Sequence, residues 1–314
     1  MGSTIDLPSS ESSELCLCQP TPEECTQIWF NSAASWKDSL TIPLYLIEAQ
    51  CLTKIPLAKD GGMATESFRK RSLTSDERGN IEKGLVHGIA SVFCSSWFRG
   101  RDYGTRHMKE LAKVLHGWQS EYGKSIGSAL SSDIGKNGHF VFPPVKLEKA
   151  VLAQLVPESE LETLCLGRRV LIPPDLDHML WHIRKEDFAT NHIFGKKLQA
   201  KGAIAGNPSK QVWAVWVHHY YEHPDYPEEE EAGGNVLYIL RLVMEAAALK
   251  AVLQAAQAEA AEWRLDQVKL WEPSPLVQSL LEQRGLDATW VERQERSIAN
   301  KAPAWVNNEH YAWC

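Results

Sequence analysis

The stretch "GLVHGIASVFCSSWFRGRDYGTRHMKELAKVLHGW", residues 84–118, predicts a strand, a glycine-containing turn and a helix in immediate succession. Residues 84–96 are rich in Ile, Val and Phe, which favours a core strand. Residues 104–124 predict a helix with one apolar face. The residues that mark this face are Met108, Leu111, Leu115 and Trp118. A strand that leads into a helix in this way is typical of an α/β fold.

The turn between the predicted strand and helix has the chemistry of an anion site. A helix N-terminus offers unpaired backbone N–H groups and a partial positive charge. Glycine lets an anion approach those groups closely, and Arg99 and Arg101 add two guanidinium groups that suit phosphate oxygens. The alternative interpretation is a tight turn whose arginines face solvent.

Composition excludes several classes of partner. The chain has 314 residues and a net charge of −7, so it offers no broad basic surface for nucleic acid. No run of eighteen apolar residues is present, which predicts no membrane span. Seven scattered cysteines do not suggest a disulfide framework and favour a reducing, cytoplasmic location. The expected partner is a small-molecule substrate, and the oligomeric state stays open.

The chain divides into three predicted regions. Residues 1–14 are polar and Ser-rich, which predicts disorder. Residues 15–148 contain the strand–turn–helix, and their first helix begins with a capping box formed by Thr21 and Glu24. Residues 149–314 read as strand, strand, helix, strand, helix. The similar order predicts two related α/β units in tandem.

Short fragments along the chain carry a family resemblance. "RGRDYG" resembles the acyl-CoA loop of the GCN5-related N-acetyltransferase (GNAT) superfamily. "LAKDGG", "FRKR", "HGIASVF", "SDIGK", "WHIRKEDF" and "LWEPSP", in this order, resemble fungal proteins similar to the yeast lysine acetyltransferase. The resemblance implies an α/β fold in which a mixed GNAT sheet has helices on both faces and a second GNAT-like unit follows. It also implies acetyl-CoA as cofactor and a small amine or amino acid, lysine-like, as substrate.

The resemblance assigns cofactor-binding residues one by one. The residues so assigned are Val92, Phe93, Cys94, Arg99, Gly100, Arg101, Asp102, Tyr103, Gly104 and Thr105. Arg99 and Gly104 match the loop pattern Arg/Gln-x-x-Gly-x-Gly/Ala, whereas Asp102 replaces its middle glycine. The backbone of Val92 to Cys94 would pair with the pantetheine arm. A carboxylate about 4 Å from a phosphate charge costs about 4 kcal/mol at an effective dielectric near 20, so the aspartate should weaken binding.

Two further departures affect the same pocket. After "SDIGK" the family continues into "FYxxLGW", which carries an aromatic general acid, but here "NGHFVFPP" follows. The strand pair between "DGG" and "FRKR" is shortened to residues 63–67. Both gaps are compatible with real divergence or with a skipped exon in a gene model.

Two residues are candidate general bases for attack of an amine on a thioester. His87 lies on the strand beside the turn, although it could equally be an ordinary strand histidine. The carboxylate of the C-terminal Cys314 is the other, because some two-domain relatives use such a group and the aromatic tail "HYAWC" would help to bury it. His178, His182 and Glu186 are one helical turn apart but favour packing over metal binding, so no metal site is predicted.

Three functions stay open. The leading one is acyl-CoA-dependent N-acetylation. The second is an enzyme of fungal secondary metabolism that uses the same fold for a CoA-independent reaction such as cyclisation or isomerisation, since fold alone does not determine function. The third is a non-catalytic relative.

Overall fold

The computed structural model describes most of the chain outside residues 131–168 and 280–303. The described ranges are 7–59, 67–130, 169–207, 211–226, 234–243, 248–271, 273, 276–277, 279, 304–306 and 308–313. The helices are α1 (Pro22–Trp36), α2 (Ile42–Leu52), α3 (Pro56–Lys59), α4 (Tyr103–Gly117), α5 (Leu176–Phe194) and α6 (Leu249–Glu262). The strands are β1 (Ser67–Ser75), β2 (Ile81–Ile89), β3 (Ser125–Leu130), β4 (Arg169–Leu171), β5 (Gly202–Ala205), β6 (Val212–His219), β7 (Val236–Val243), β8 (Gln267–Leu270) and β9 (Ala304–Trp305).

The ends of α1 and α5 follow from side-chain caps. The capping box at α1 is confirmed: Glu24 N–H donates to Thr21 Oγ1 at 3.2 Å, and Thr21 N–H donates to Glu24 Oε2 at 2.8 Å. At α5, the Asp175 carboxylate accepts from His178 N–H at 3.2 Å. The same helix ends at Gly195, whose φ of 62° is the left-handed conformation that glycine adopts without strain.

Sheet A joins both predicted regions of the chain. Its strand order is β3-β2-β1-β4-β9. β1 pairs antiparallel with β2 and β4, whereas β2 with β3 and β4 with β9 are parallel. Because β4 and β9 come from beyond residue 148, sheet membership crosses the predicted boundary between residues 148 and 149.

Sheet B is built entirely from the second region. Its order is β5-β6-β7-β8, with antiparallel pairs except for the parallel pair β7–β8. The helix α6 connects β7 to β8 as a crossover, as parallel neighbours require. In sheet A the helix α4 connects β2 to β3 in the same way.

The helices cover both faces of the two sheets, and the predicted α/β fold class is confirmed. On sheet A, Ile89 packs against Leu111 and Leu115 of α4. The opposite face packs against α5, where Phe68 and Trp181 lie edge to face at 5.8 Å. Sheet B packs α6 on one face and α5 with the C-terminal tail on the other. The helix α5 therefore lies between the two sheets.

Two predicted boundaries are wrong in extent. The strand expected over residues 84–96 runs over Ile81–Ile89, so Val92, Phe93 and Cys94 follow it as coil. The helix expected over residues 104–124 ends at Gly117. Its apolar stripe persists to Trp118, but Gln119 takes a left-handed φ of 59°, which a helix interior does not accommodate.

Candidate functional site

The turn before α4 has the open backbone that an anion site requires. Gly100 and Asp102 take φ values of 71° and 60°, and the Asp102 side chain forms no cap hydrogen bond with the helix. A Cβ atom placed on Gly104 would meet no heavy atom within 4 Å. The first turn of α4 therefore presents its N–H groups beside unfilled space. Asp102 also occupies a conformation that Asp tolerates better than most residues.

The predicted phosphate-binding arginines differ in their surroundings. Arg99 Nε donates to the Cys94 carbonyl at 2.9 Å, so this guanidinium braces the turn from within. Arg101 is exposed and forms no ion pair with the residues that the structure describes. Tyr103 and Thr105 belong to the first turn of α4. The turn thus brings the assigned residues 99–105 together, with Arg101 available to an incoming anion.

The N-terminal segment lies along α4 instead of away from it. Tyr103 Oη donates to the Pro8 carbonyl, and Arg106 Nη1 donates to the Ser10 carbonyl at 2.7 Å. Leu17 packs against the cluster that contains Met108 of α4. Side chains of α4 therefore hydrogen-bond to backbone carbonyls of the segment for which the sequence predicts disorder.

His87 lies far from the turn. Its ring stacks on Trp118 at 5.8 Å, next to the C-terminal end of α4, and its side chain is fully buried. Trp118 lies fourteen positions beyond Gly104, which is about 20 Å along the helix axis. Burial lowers the pKa of His87, so the imidazole is neutral at pH 7. Cys314 lies outside the described residues.

A second group of polar and aromatic side chains lies between the sheets, under the C-terminal tail. The rings of His182 and His310 are 5.2 Å apart, and His310 stacks on Tyr238 at 4.1 Å. The Lys70 ammonium donates to the Ala312 carbonyl. His182 Nε2 and His310 Nδ1 have no hydrogen-bond partner among the described residues. We call these five residues the histidine layer.

Electrostatics keep both histidines of this layer neutral. Burial lowers the pKa of His182 to about 3, with the Lys70 charge acting in the same direction. Burial also holds the pKa of His310 well below its ordinary value, and His182 adds to the effect. A neutral imidazole nitrogen can accept a hydrogen bond, but pKa values this low make both rings weak bases.

The tail that completes the histidine layer is anchored by buried polar contacts. Arg241, which is 2% exposed, pairs with Glu309 at 2.6 Å. Leu242 N–H donates to the other carboxylate oxygen of Glu309 at 3.2 Å. Tyr311 Oη donates to the Ile172 carbonyl at 2.6 Å. These bonds hold residues 309–312 against β7 and against the residue that follows β4.

A buried ionic chain crosses from α5 to α6. Glu186 accepts from Lys201 Nζ and from His218 N–H, the latter at 2.7 Å, and also contacts His218 Nδ1. His218 Nε2 lies 3.3 Å from Glu259, whose pKa burial raises. Glu186 is therefore engaged by protein groups and is not directed at a metal. Among the described residues, no group of three or more His, Cys, Asp or Glu could hold a metal ion.

A related pair on the other side of α5 involves Asp38. Its carboxylate lies 2.8 Å from Lys185 Nζ and 3.1 Å from His219 Nε2. Burial alone would raise the pKa of Asp38, but these two neighbours outweigh it and hold the pKa well below its ordinary value. The His219 ring contacts the Tyr221 ring, and the Tyr221 hydroxyl hydrogen-bonds the Tyr238 hydroxyl at 2.8 Å.

The histidine layer could not be identified from local sequence. His182 is in a helix, His310 is in the tail, and Lys70 belongs to the charged run "FRKR". What joins them is tertiary packing across 242 positions of sequence, from Lys70 to Ala312. The aromatic tail "HYAWC" was the one usable signal, because aromatic residues in a terminal segment favour its burial.

Comparisons with known proteins place the second region in a family. The family model of the LYC1 GNAT-like C-terminal domain matches residues 148–314, more than half of the chain. No curated protein and no solved structure matches the chain. In the part of the chain that the structure describes, no helix has the length and apolar character to cross a membrane.

Proposed function

Because the chain belongs to the family of the LYC1 GNAT-like C-terminal domain, which indicates an acetyltransferase-type function, we propose an acyl-CoA-dependent N-acetyltransferase. Its acceptor is a small amine or amino acid, lysine-like. The observation that carries the proposal is the open turn before α4, where Gly100, Asp102 and Gly104 shape the backbone and Arg101 is free of ion pairs with described residues. A turn of this kind at a helix N-terminus is suited to phosphate.

The residues of the turn fit acetyl-CoA with one exception. Gly104 leaves room for a close approach, and Arg101 supplies a cation for phosphate oxygens. The Asp102 carboxylate opposes the same phosphates, so affinity should fall below that of a turn with glycine there. When bound, acetyl-CoA supplies a thioester whose carbonyl carbon is open to attack by an amine.

Proton transfer is the task of this chain's own residues. The amine must lose a proton to act as a nucleophile, and His182 and His310 are poorly suited to accept it because burial holds their pKa values far below neutral pH. His87 and the Cys314 carboxylate stay candidates for the same role. Adding one residue after Cys314 should reduce turnover sharply if its carboxylate is the base, whereas unchanged turnover would remove it from consideration.

The test is calorimetric titration with acetyl-CoA of the wild-type chain and of Asp102→Gly. We expect the glycine variant to bind more tightly, by tenfold or more, since about 1.4 kcal/mol of relieved repulsion suffices. Arg101→Gln should weaken binding in both backgrounds. Acetylation of lysine and other small amines, followed by mass spectrometry, then tests the reaction. Absence of acetyl-CoA binding in both proteins would contradict the proposal.

The histidine layer favours a second candidate function. The layer lies in an aromatic region, where His310 stacks on Tyr238 and where Trp271 and Trp313 are in edge-to-face contact at 4.3 Å. This arrangement suits a CoA-independent cyclisation or isomerisation in a biosynthetic pathway. This candidate would be favoured over the first if turnover does not depend on acetyl-CoA and is lost in His310→Phe.

A further inference from the structure

A cleft of about 790 Å³ lies between α2 and α5, away from the turn and the histidine layer. The two helices run antiparallel along it, because Trp181 early in α5 packs against the cluster that contains Ile55, whereas Phe188 further on packs against the cluster that contains Ala49. The segment after α5 contributes Lys197, Leu198 and Lys201 to the lining. The volume lies within the range of about 300–1,000 Å³ that small-molecule sites occupy.

The interior of the cleft is mostly apolar, although the buried Glu48 also belongs to its lining. Leu52 and Ile55 are 9% and 7% exposed and form its buried side. Leu180 and Phe188 line it from α5, and Phe188 is fixed by ring contact with His192 at 4.2 Å. A ligand that enters the cleft must therefore bury apolar surface there.

The positively charged side chains of the cleft differ in whether an acidic side chain compensates their charge. Lys201 Nζ lies 2.6 Å from Asp187 and also contacts Glu186, so its charge is compensated. Lys54 and Arg184 are exposed and form no ion pair with the residues that the structure describes. The antiparallel packing places these two cations toward the same end of the cleft, beside Leu180. This cationic end belongs to a chain whose net charge is −7, so it is a local exception to the acidic surface.

We propose that the cleft binds a monocarboxylic acid with an apolar body. The carboxylate pairs with Arg184 and Lys54, since guanidinium matches carboxylate geometry, and the body lies on Leu52 and Phe188. Binding in this cleft does not require acyl-CoA, so the proposal is tested independently of the proposed transferase function.

Cys51 gives a direct readout of occupancy. It is a free, exposed cysteine that lines the cleft, whereas Cys16 and Cys18 are free and exposed in the N-terminal segment. The full-length chain is treated with N-ethylmaleimide with and without 4-phenylbutyrate, and labelling is followed at each cysteine by peptide mass spectrometry. A probe at about ten times its Kd leaves the site empty about one-tenth of the time, so Cys51 labelling should slow about tenfold. Cys16 and Cys18 should react at unchanged rates.

Two chemical controls separate the parts of the ligand. The neutral analogue 4-phenylbutan-1-ol should protect Cys51 far less, because it lacks the anion. Inorganic phosphate lacks the apolar body and should give no protection. Equal protection by the alcohol or by phosphate would overturn the assignment of a carboxylate with an apolar body.

Matched variants test the cationic end. In Arg184→Met, and in the double variant that also carries Lys54→Met, 4-phenylbutyrate should no longer protect Cys51 from labelling. The control Lys83→Met changes an exposed lysine of β2 and should leave this protection intact. Thermal unfolding checks that each variant is folded. A ligand concentration of about 10 mM would fill a site of millimolar Kd. The proposal is wrong if neither 4-phenylbutyrate nor octanoate at this concentration slows Cys51 labelling in the wild-type chain. Acetyl-CoA binding measured on the same samples reports on the transferase alone.

Discussion

The units β2–α4–β3 and β7–α6–β8 share one topology but use their helices differently. In each, a strand leads through a helix to a parallel neighbour, with an antiparallel strand on the other side. The helix α6 buries five residues against sheet B, whereas α4 buries Leu111 and Leu115 among its described side chains. The connection before α4 is long and carries the arginine–glycine turn, and the connection before α6 is short and alanine-rich. The first helix is thus free to present its N-terminus, and the second is committed to the core.

The largest expected change in stability is at Glu309, which anchors the C-terminal tail to β7 of the second unit. Glu309→Ala leaves the buried guanidinium of Arg241 without this carboxylate and removes the acceptor of Leu242 N–H. We expect a loss of about 3–5 kcal/mol in the free energy of unfolding, as for other broken buried ion pairs. Urea denaturation measures it. A loss below about 1 kcal/mol would mean that the tail does not hold β7.

The next largest change in stability is expected from substitutions that compare α6 with α4. Leu249→Ala removes a side chain of α6 that is 1% exposed and should destabilise the chain by about 2–5 kcal/mol. Val114→Ala on α4, at 48% exposure, should change stability by no more than about 0.5 kcal/mol. Comparable losses at both positions would contradict the difference in packing between the two helices.

Part of the acid response should come from His182 in the histidine layer. The pKa of His182 falls from 6.5 to about 3 on folding, so between these pH values the unfolded chain binds a proton that the folded chain does not. The free energy of unfolding therefore falls as pH falls below 6.5, by about 1.4 kcal/mol per pH unit for such a group.

Urea midpoints measured from pH 7.5 to 4.5 give this slope. His182→Phe should flatten it, whereas His116→Phe, at an exposed position near the end of α4, should leave it unchanged. An unchanged slope in His182→Phe would show that the pKa of this histidine does not fall on folding.

Local signals predicted the unit that contains the turn better than they predicted the layer between the sheets. The capping box of α1 and the start of α4 follow from a few neighbouring residues, because caps and glycine turns act over three or four positions. Lys70 shows the opposite: in "FRKR" it has the pattern of a solvated charge, yet it is 2% exposed. Its burial depends on the Ala312 carbonyl, which no local pattern connects to it. Residues 309–313 likewise have no strand or helix period, so their place in the core follows from tertiary contacts alone.

The smallest expected effect concerns how the first unit holds the N-terminal segment. Arg106→Gln removes the hydrogen bond to the Ser10 carbonyl, and Tyr103→Phe removes the one to the Pro8 carbonyl. Each bond should contribute about 0.5–1.5 kcal/mol, and because it ties down a segment with few other contacts, its loss acts locally and not on global stability. Hydrogen exchange should therefore quicken at the amides of residues 9–15 and in the first turn of α4, while amides of α6 stay protected. Lys109→Gln, an exposed change on the same helix, is the matched control and should alter neither. A fall in protection that spread to α6 would mean that the two helices unfold together, and the separation between a presented helix and a core helix would be lost.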